Sequence, residues 1–299
     1  MLSVIVVNFN TREYLRKCLT SLRAHEPGAQ LIVVDNASRD GSAEMVAQDF
    51  PDVALFAEKK NLGFAAGNNV GLKAATGDYV VLFNSDAELR DAALTQCVAA
   101  MEADPSIGAV HPALEGPDGL PQIAEHNFPS LGSMFRDALR LKNKRPGSLE
   151  NRWLAGTALV IRKKALDSIG GKLDDSYFMY WEDADLSAKL KKAGWKLELV
   201  PGATVKHHGG ASGGGADTAR RADLHAWFCY GKHRWFRSNR PRWEAAAVWM
   251  MDLVDVPRKT LRGLAKHSAR YSEWAQAKVT AQVLFGSLTG AKPPLPRGA

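Results

Sequence analysis

Three apolar runs, each ending on a polar cluster, constrain the fold of this chain more than any other feature. Leu2–Val7, Leu31–Val34 and Tyr79–Phe83 are continuously apolar and rich in β-branched residues, the mark of strands buried on both faces. Directly after them come Asn8–Thr11, Asp35–Ser42 and Asn84–Asp86. Thr11 is placed to cap a helix whose Tyr14, Leu15, Cys18, Leu19 and Leu22 form one apolar stripe. Ser42–Phe50, Asn68–Ala75 and Asp91–Ala103 read as further helices, and Ala54–Ala57 as a short strand. Strands alternating with helices predict an α/β chain with a parallel, doubly wound sheet. Such sheets take ligands at the carboxyl ends of their strands, where all three polar clusters fall. One Asp after a strand is most simply a turn residue or a helix cap; three clusters in one half-domain point to a binding site.

Beyond residue 105 the pattern loosens. Pro112–Gly147 is rich in Pro and Gly and carries a basic amphipathic patch, Phe135–Lys144, so it reads as a long loop. Leu154–Ile161 reads as one strand, with a helix near Ala165–Ile169. Glu182–Ala193 is expected to be a helix, Lys196–Val200 and Ala203–His207 two short strands, and Gly209–Gly215 a flexible turn. From about Ala219 the pattern is helical, and the Pro-rich Lys292–Ala299 is expected to be disordered.

Charge divides the chain in the same place. Residues 1–215 hold 24 Lys and Arg against 26 Asp and Glu, whereas residues 216–299 hold 15 against 6. The basic surplus therefore belongs to the tail and implies an anionic partner for it. The three cysteines, Cys18, Cys97 and Cys229, have neither disulfide-framework nor zinc-site spacing and suit a reducing compartment. The start lacks a basic n-region and no run reaches the ~18 apolar residues of a membrane span. The expectation is a cytoplasmic protein, peripheral at most on the inner face of the cytoplasmic membrane.

A dinucleotide site would need GxGxxG after the first strand, where Asn8-Phe9-Asn10-Thr11 stands instead, and no P-loop is present. The segments VIVVNFN, VVDNASRDGS, NLGFAAGNN and VLFNSDAEL resemble the nucleotide-binding half of family 2 glycosyltransferases. WLAGTALVIRKKAL, FMYWEDADLSAKLKKAGW and VKHHGGAS resemble the acceptor half. The set is most similar to the rhamnosyltransferase-type subgroup and covers roughly residues 2–212. The resemblance implies the GT-A fold, a Rossmann-like mixed, mostly parallel sheet flanked by helices, with a C-terminal helical extension. The implied domains are a catalytic domain over 1–215, with a nucleotide half at about 1–105 and an acceptor half at about 106–215, and an extension over 216–299.

By the same resemblance, Asn8, Asn10, Thr11 and Asp35 face the donor base and ribose, and Asn61, Gly63 and Asn68 line the nucleotide and its diphosphate. A carboxylate such as Asp35 suits a pyrimidine N–H, and glycine at Gly63 permits close backbone approach, with plain turn geometry as the alternative there and at Gly67. Asn84-Ser85-Asp86 occupies the place of a DxD motif, with Asp86 as the metal carboxylate and Asn84 near the ribose or a metal-bound water. Hard oxygen ligands of this kind suit Mg²⁺ or Mn²⁺. His207 opens an HxxGxS pattern with Gly210 and Ser212 and is the implied second metal ligand, with His208 as its competitor. Asp183 is the implied general base, since an acceptor hydroxyl must lose its proton as it attacks; ordinary charge at a helix start is the alternative for Glu182, Asp183 and Asp185. Asp185, two residues on, faces elsewhere and is expected to bond nearby backbone. Trp153, Gly156, Thr157, Trp181 and Glu182 flank donor sugar and acceptor, and Tyr180 or Trp181 has either a sugar-stacking or a core role.

The implied reaction is an inverting transfer from a nucleotide sugar, best dTDP-rhamnose, to a saccharide on a polyprenyl diphosphate in bacterial cell-surface polysaccharide or cell-wall assembly. A UDP-hexose donor on the same fold is the alternative. A nucleotidyltransferase would be expected to carry a Gly-rich basic loop after the first strand, and a non-catalytic module would not keep Asp86, Asp183 and His207 together. In the tail, Arg258, Arg262, Lys266 and Arg270 recur every four residues beside five tryptophans. This reads as a surface for anionic lipid, with a solvated basic face or a homo-oligomer contact as the alternative, and not as a nucleic-acid module.

Overall fold

The computed structural model describes residues 1–138, 151–209, 218–265 and 270–296. In chain order the elements are β1 (Leu2–Asn8), α1 (Arg12–His25), β2 (Gln30–Asp35), α2 (Ser42–Asp49), β3 (Ala54–Ala57), α3 (Phe64–Ala74), β4 (Tyr79–Asn84), β5 (Ala87–Leu89), α4 (Ala93–Ala103), β6 (Ile107–Glu115), β7 (Pro121–Gln122) and β8 (Glu125–Asn127). They continue with α5 (Leu131–Ala138), β9 (Arg152–Leu154), β10 (Ala158–Arg162), α6 (Lys163–Ser168), α7 (Glu182–Lys192), β11 (Lys196–His207), α8 (Thr218–Asn239), α9 (Arg242–Ala265) and α10 (Arg270–Thr289). The chain divides into two compact units, one of residues 1–127, 146–178 and 186–212, the other of residues 128–145, 179–185 and 213–299.

The first unit is built on a sheet of order β3-β2-β1-β4-β10-β6-β11-β5, with β7 added beside β6. It is parallel through β3, β2, β1 and β4, and then β10 runs antiparallel to both β4 and β6. The apolar runs are continuous because both faces are covered. Val4, Val6, Val33, Val81 and Phe83 join Leu15, Leu19 and Leu22 of α1 in one core, while Ile5, Ile32, Val34, Val80 and Leu82 join Leu186 and Leu190 of α7 in the other.

Several sequence boundaries move. β6 runs on through Pro112, inside the segment read as a loop, because that proline pairs with Val200 at a register break in β11 where the regular ladder is interrupted. The two strands expected at 196–207 are one strand with that irregularity between Val200 and Thr204. The single strand expected at Leu154–Ile161 splits into β9, which pairs with β8, and β10, which joins the main sheet. Of the basic patch Phe135–Lys144, residues 139–144 lie outside the described residues, as do Gly210 and Ser212; the Gly209–Gly215 turn is described only at Gly209.

The second unit contains α5, α8, α9 and α10. Ala226 and Cys229 of α8 pack with Val283 of α10, and the Trp235 ring lies 5.4 Å from Phe236 and 6.0 Å from Phe128. The end expected to be disordered is tied down up to Pro294, whose carbonyl accepts a 2.9 Å hydrogen bond from Trp227 Nε1, because an otherwise buried indole N–H needs a partner. No described helix is long and apolar enough to cross a membrane. All three cysteines are free and buried.

Candidate active site

The loops after β1 and β2 are knitted into one rim. Asn8 Nδ2 donates to Asp35 Oδ1 at 2.7 Å and to Ser38 Oγ at 3.1 Å, and Asn8 Oδ1 accepts from Thr11 Oγ1 at 2.5 Å. Asp35 Oδ2 accepts from Ser38 N, and Asn10 Oδ1 accepts from Arg39 N at 2.7 Å. Asn10 and Ala37 carry positive φ of 53° and 61°, a sparsely populated region for non-glycine residues that these bonds offset. Asn8 is thus wholly engaged inside the protein, and Asp35 is an ordering carboxylate whose oxygens each retain one more lone pair. Thr11 precedes α1 but does not cap it with its side chain. Its hydroxyl is drawn to Asn8 and to Ser85 Oγ, 2.8 Å away on the neighbouring strand end.

The segment before α3 is held by buried amides. Asn61 Oδ1 accepts from Gly63 N at 2.9 Å, and Asn36 Nδ2 donates to Gly63 O at 3.1 Å. Gly63 has φ +81°, and a Cβ there would stand 2.2 Å from the carbonyl oxygen of Phe178. The close backbone approach that demands this glycine is therefore made by the chain itself. Asn68 is fully buried on α3, and its Nδ2 donates to Phe64 O.

The third cluster meets the far end of the sheet. Asn84 N donates to Thr157 O at 2.9 Å, which ties β4 to the start of β10. Past Asp86 the chain pairs as β5 with β11, antiparallel, with His207 opposite Ala87. That register carries a residue more than a hundred positions away back to the metal-motif segment. His207 Nε2 lies 3.4 Å from Asp86 Oδ1 and 3.5 Å from Asn84 Nδ2. His208, the competing histidine, is turned away: its Nε2 meets Glu88 Oε1 at 2.6 Å, and its ring packs 5.1 Å from Tyr14.

Sequence reading did not single out Gln122. Its Nε2 donates to the His207 carbonyl at 3.0 Å, and its Oε1 lies 2.9 Å from His207 Nδ1. The carbonyl can only accept, so it fixes the amide orientation. Oε1 then accepts a hydrogen bond from Nδ1–H, which leaves Nε2, the atom facing Asp86, as the ring nitrogen able to offer a lone pair. Nε2 and Asp86 Oδ1, 3.4 Å apart, are spaced to act together as ligands of one cation. Among the described residues no three His, Cys, Asp or Glu side chains form a ready metal cage. Asp86 and His207 therefore suit an ion whose remaining ligands come from a substrate diphosphate or water, as Mg²⁺-type sites commonly arrange. The only sequence signal for Gln122 was its place in a Pro-rich stretch two residues from Leu120.

Nearby, Trp153 stacks on His126 at 4.5 Å and donates Nε1–H to Asn127 O, and Thr157 is nearly buried. His111 sits beneath the strand ends, where burial pushes it down to about 4; it donates and accepts as a neutral ring, with Pro112 O on Nδ1 and Ala158 N on Nε2.

Trp181, Glu182, Asp183 and Asp185 belong to the second unit. Tyr180 and Trp181 both have positive φ, 70° and 75°, two consecutive aromatic residues in a region that side chains disfavour. Gly231 of α8 makes room for them, since a Cβ there would stand 2.7 Å from Trp181 Cδ1. Trp181 packs 5.4 Å from Phe228 and 6.2 Å from Trp235. The strained pair ends at the first turn of α7. There Glu182 is buried, and desolvation with the Asp183 charge raises its carboxyl well above the usual range. Asp183 is half-buried and accepts from Ala184 N at 2.8 Å, while Asp185 accepts from the Asn239 side chain at 3.2 Å. The three acids thus sit in three different environments.

The glycosyl transferase family 2 model matches residues 3–170. The N-acetylglucosaminyl-diphospho-decaprenol L-rhamnosyltransferase of Mycobacterium tuberculosis is 31% identical, over 70% of this chain and 76% of its own. Rhamnosyltransferase WbbL of Escherichia coli is 24% identical, over 70% of this chain and 83% of its own. Among solved structures, the mannosyltransferase PcManGT from Pyrobaculum calidifontis, in complex with GDP-Man and Mn²⁺, aligns with a TM-score of 0.57 at 18% identity, over 97% of this chain and 88% of its own. Motifs, GT-A fold and these matches agree: the chain belongs to glycosyl transferase family 2.

Proposed function

We propose that this glycosyltransferase moves a sugar, L-rhamnose from dTDP-rhamnose, with inversion onto a hydroxyl of a saccharide carried on a polyprenyl diphosphate. The observation that carries the reading is the approach of His207 Nε2 to Asp86 Oδ1, which prepares a two-ligand cation site at the carboxyl end of a nucleotide-type sheet. The similarity to a rhamnosyltransferase whose name gives a decaprenol-diphosphate acceptor supports the donor and acceptor classes.

A divalent ion bound there supplies charge neutralisation for the departing nucleoside diphosphate. Asp86 and His207 hold it, with Gln122 keeping the His207 lone pair in place. The rim formed by Asn8, Asn10, Thr11, Asp35 and Ser38 orients the base and ribose, and the Asn61–Gly63 turn and Asn84 border the phosphates and ribose. Asp183, the accessible member of the acidic trio, takes the acceptor proton as its oxygen attacks the anomeric carbon. Burial and the Asp183 charge hold the Glu182 carboxyl above the usual range, and Asp185 fixes the helix start through Asn239.

The test is a donor panel with purified protein and a polyprenyl-diphosphate N-acetylglucosamine acceptor, in Mg²⁺ or Mn²⁺ and in chelator. dTDP release with dTDP-rhamnose, lost in chelator and in Asp183→Asn while donor binding persists, is the expected result. Turnover that is indifferent to chelator, or preserved in Asp183→Asn, contradicts the mechanism; turnover with UDP-hexoses alone reassigns the donor.

A further inference from the structure

We propose that one face of α9 is a docking surface for an anionic lipid bilayer. A helix at a water-facing surface normally exposes its charges and buries its apolar stripe, and α9 does the reverse. Trp243, Met250, Val254 and Leu261 recur at steps of seven, four and seven, which at 100° per residue keeps them within about 20° of one line. Leu253 widens the stripe. These five side chains are 41% to 67% exposed. Ala246 and Pro257 fill the gaps, so after Arg242 no fully exposed position of the helix from Trp243 to Leu261 carries a charge. The charged residues of that stretch, Glu244, Asp252, Asp255, Arg258 and Lys259, are all less exposed than the stripe. Asp252 is paired with Lys232 and His233, and Asp255 with Lys259 at 3.0 Å.

Charge selects the occupant. Residues 216–299 carry 15 Lys and Arg against 6 Asp and Glu. A second copy of this chain would bring the same positive charge to the contact, whereas phosphatidylglycerol or cardiolipin headgroups complement it. With another face packed into the protein through buried Val248, and no described helix apolar enough to span a membrane, α9 fits a helix lying in the interface with Trp243 at one end of the exposed stripe. The surface is assigned from α9 and the segment charge alone, so it stands whether or not the transfer reaction above is correct.

The experiment is co-sedimentation of the full chain with phosphatidylglycerol-containing and pure phosphatidylcholine vesicles, at low and high salt. The chain should sediment with the anionic vesicles, less so in high salt and little with phosphatidylcholine. The triple variant M250S/V254S/L261S should lose affinity by about tenfold or more, with an unchanged far-UV circular dichroism spectrum; the single variants M250S and L261S, each with a smaller loss, serve if the triple unfolds. No sedimentation with anionic vesicles, equal binding to neutral vesicles, or native-like binding by folded variants overturns the proposal. So does a dimer of the native chain that these substitutions dissociate without vesicle binding, which would give the face to a second copy.

Discussion

His207 and Asp86, 121 residues apart, face each other across 3.4 Å because β11 pairs antiparallel with the three-residue β5, His207 opposite Ala87. The hydrogen bonds of Gln122 then decide what His207 presents to Asp86. Removing them should free the ring without unfolding the strand. Gln122→Ala is expected to lower Mn²⁺ affinity in the presence of nucleoside diphosphate by about 10–100-fold, the usual cost of losing such an outer partner. In ¹⁵N spectra of the native chain without metal, His207 should show the Nδ1–H tautomer, and in the variant a mixture. Native-like metal affinity and a single tautomer in Gln122→Ala would show that the amide positions nothing.

Gly63 is fixed by the Phe178 backbone. Gly63→Ala places a methyl 2.2 Å from a carbonyl oxygen at a φ of +81°. The chain must move, and a loss of at least about 3 kcal/mol is expected. Urea denaturation measures it; a variant within 1 kcal/mol or so of the parent would mean that the turn yields freely.

Glu182 gives a pH signature. Burial and the Asp183 charge raise its carboxyl well above the ordinary 4.5, so the folded chain holds a proton that the unfolded chain releases. Its contribution is complete below that ordinary value and declines as pH rises through the folded one. Glu182→Gln keeps the neutral shape, and its Tm should exceed that of the parent at pH 8 and match it near pH 4.5. Equal Tm values at both pH values would contradict a protonated Glu182.

His225 acts in the opposite direction. Burial, aided by Lys259 and Lys232, pushes it down to about 4, and it sits beside Cys229 and Thr280 as a neutral ring. The unfolded chain takes up a proton near 6.5, so the contribution of His225 is complete above that value and is lost as pH falls toward 4. About 3 kcal/mol is at stake. His225→Gln should flatten the fall of Tm over that window; an unchanged slope would place the proton elsewhere.

The parallel half of the fold was readable because burial on both faces leaves an unbroken apolar run, as in Val4–Val7 and Val80–Phe83. Past residue 105 the helix at Glu182–Lys192 and the helical tail were readable as well, but the strands were not, because they are short, interrupted by Pro112 and Pro201, and paired across long gaps, so that no local period marks them. The candidate site divides in the same way. Asp86 and His207 were visible as residue types following strands. Gln122 acts through a side-chain amide on a two-residue strand, and the Tyr180–Trp181 strain depends on space left by Gly231; neither leaves a trace in spacing. The bonds of Asn8 to Asp35 and Ser38, and the close approach of Phe178 O to Gly63, join residues far apart in the chain and so leave no trace in local spacing either.

The central claim is that Asp86 and His207 hold one divalent ion together with the donor diphosphate. Calorimetric titration of dTDP into the full chain tests it directly, with Mn²⁺ and with chelator, for the native sequence, Asp86→Asn and His207→Ala. Binding should require the ion and weaken by about 100-fold in either variant, with the two losses not additive because both ligands serve one site. Equal dTDP affinity in chelator, or either variant binding as tightly as the native chain, would contradict it.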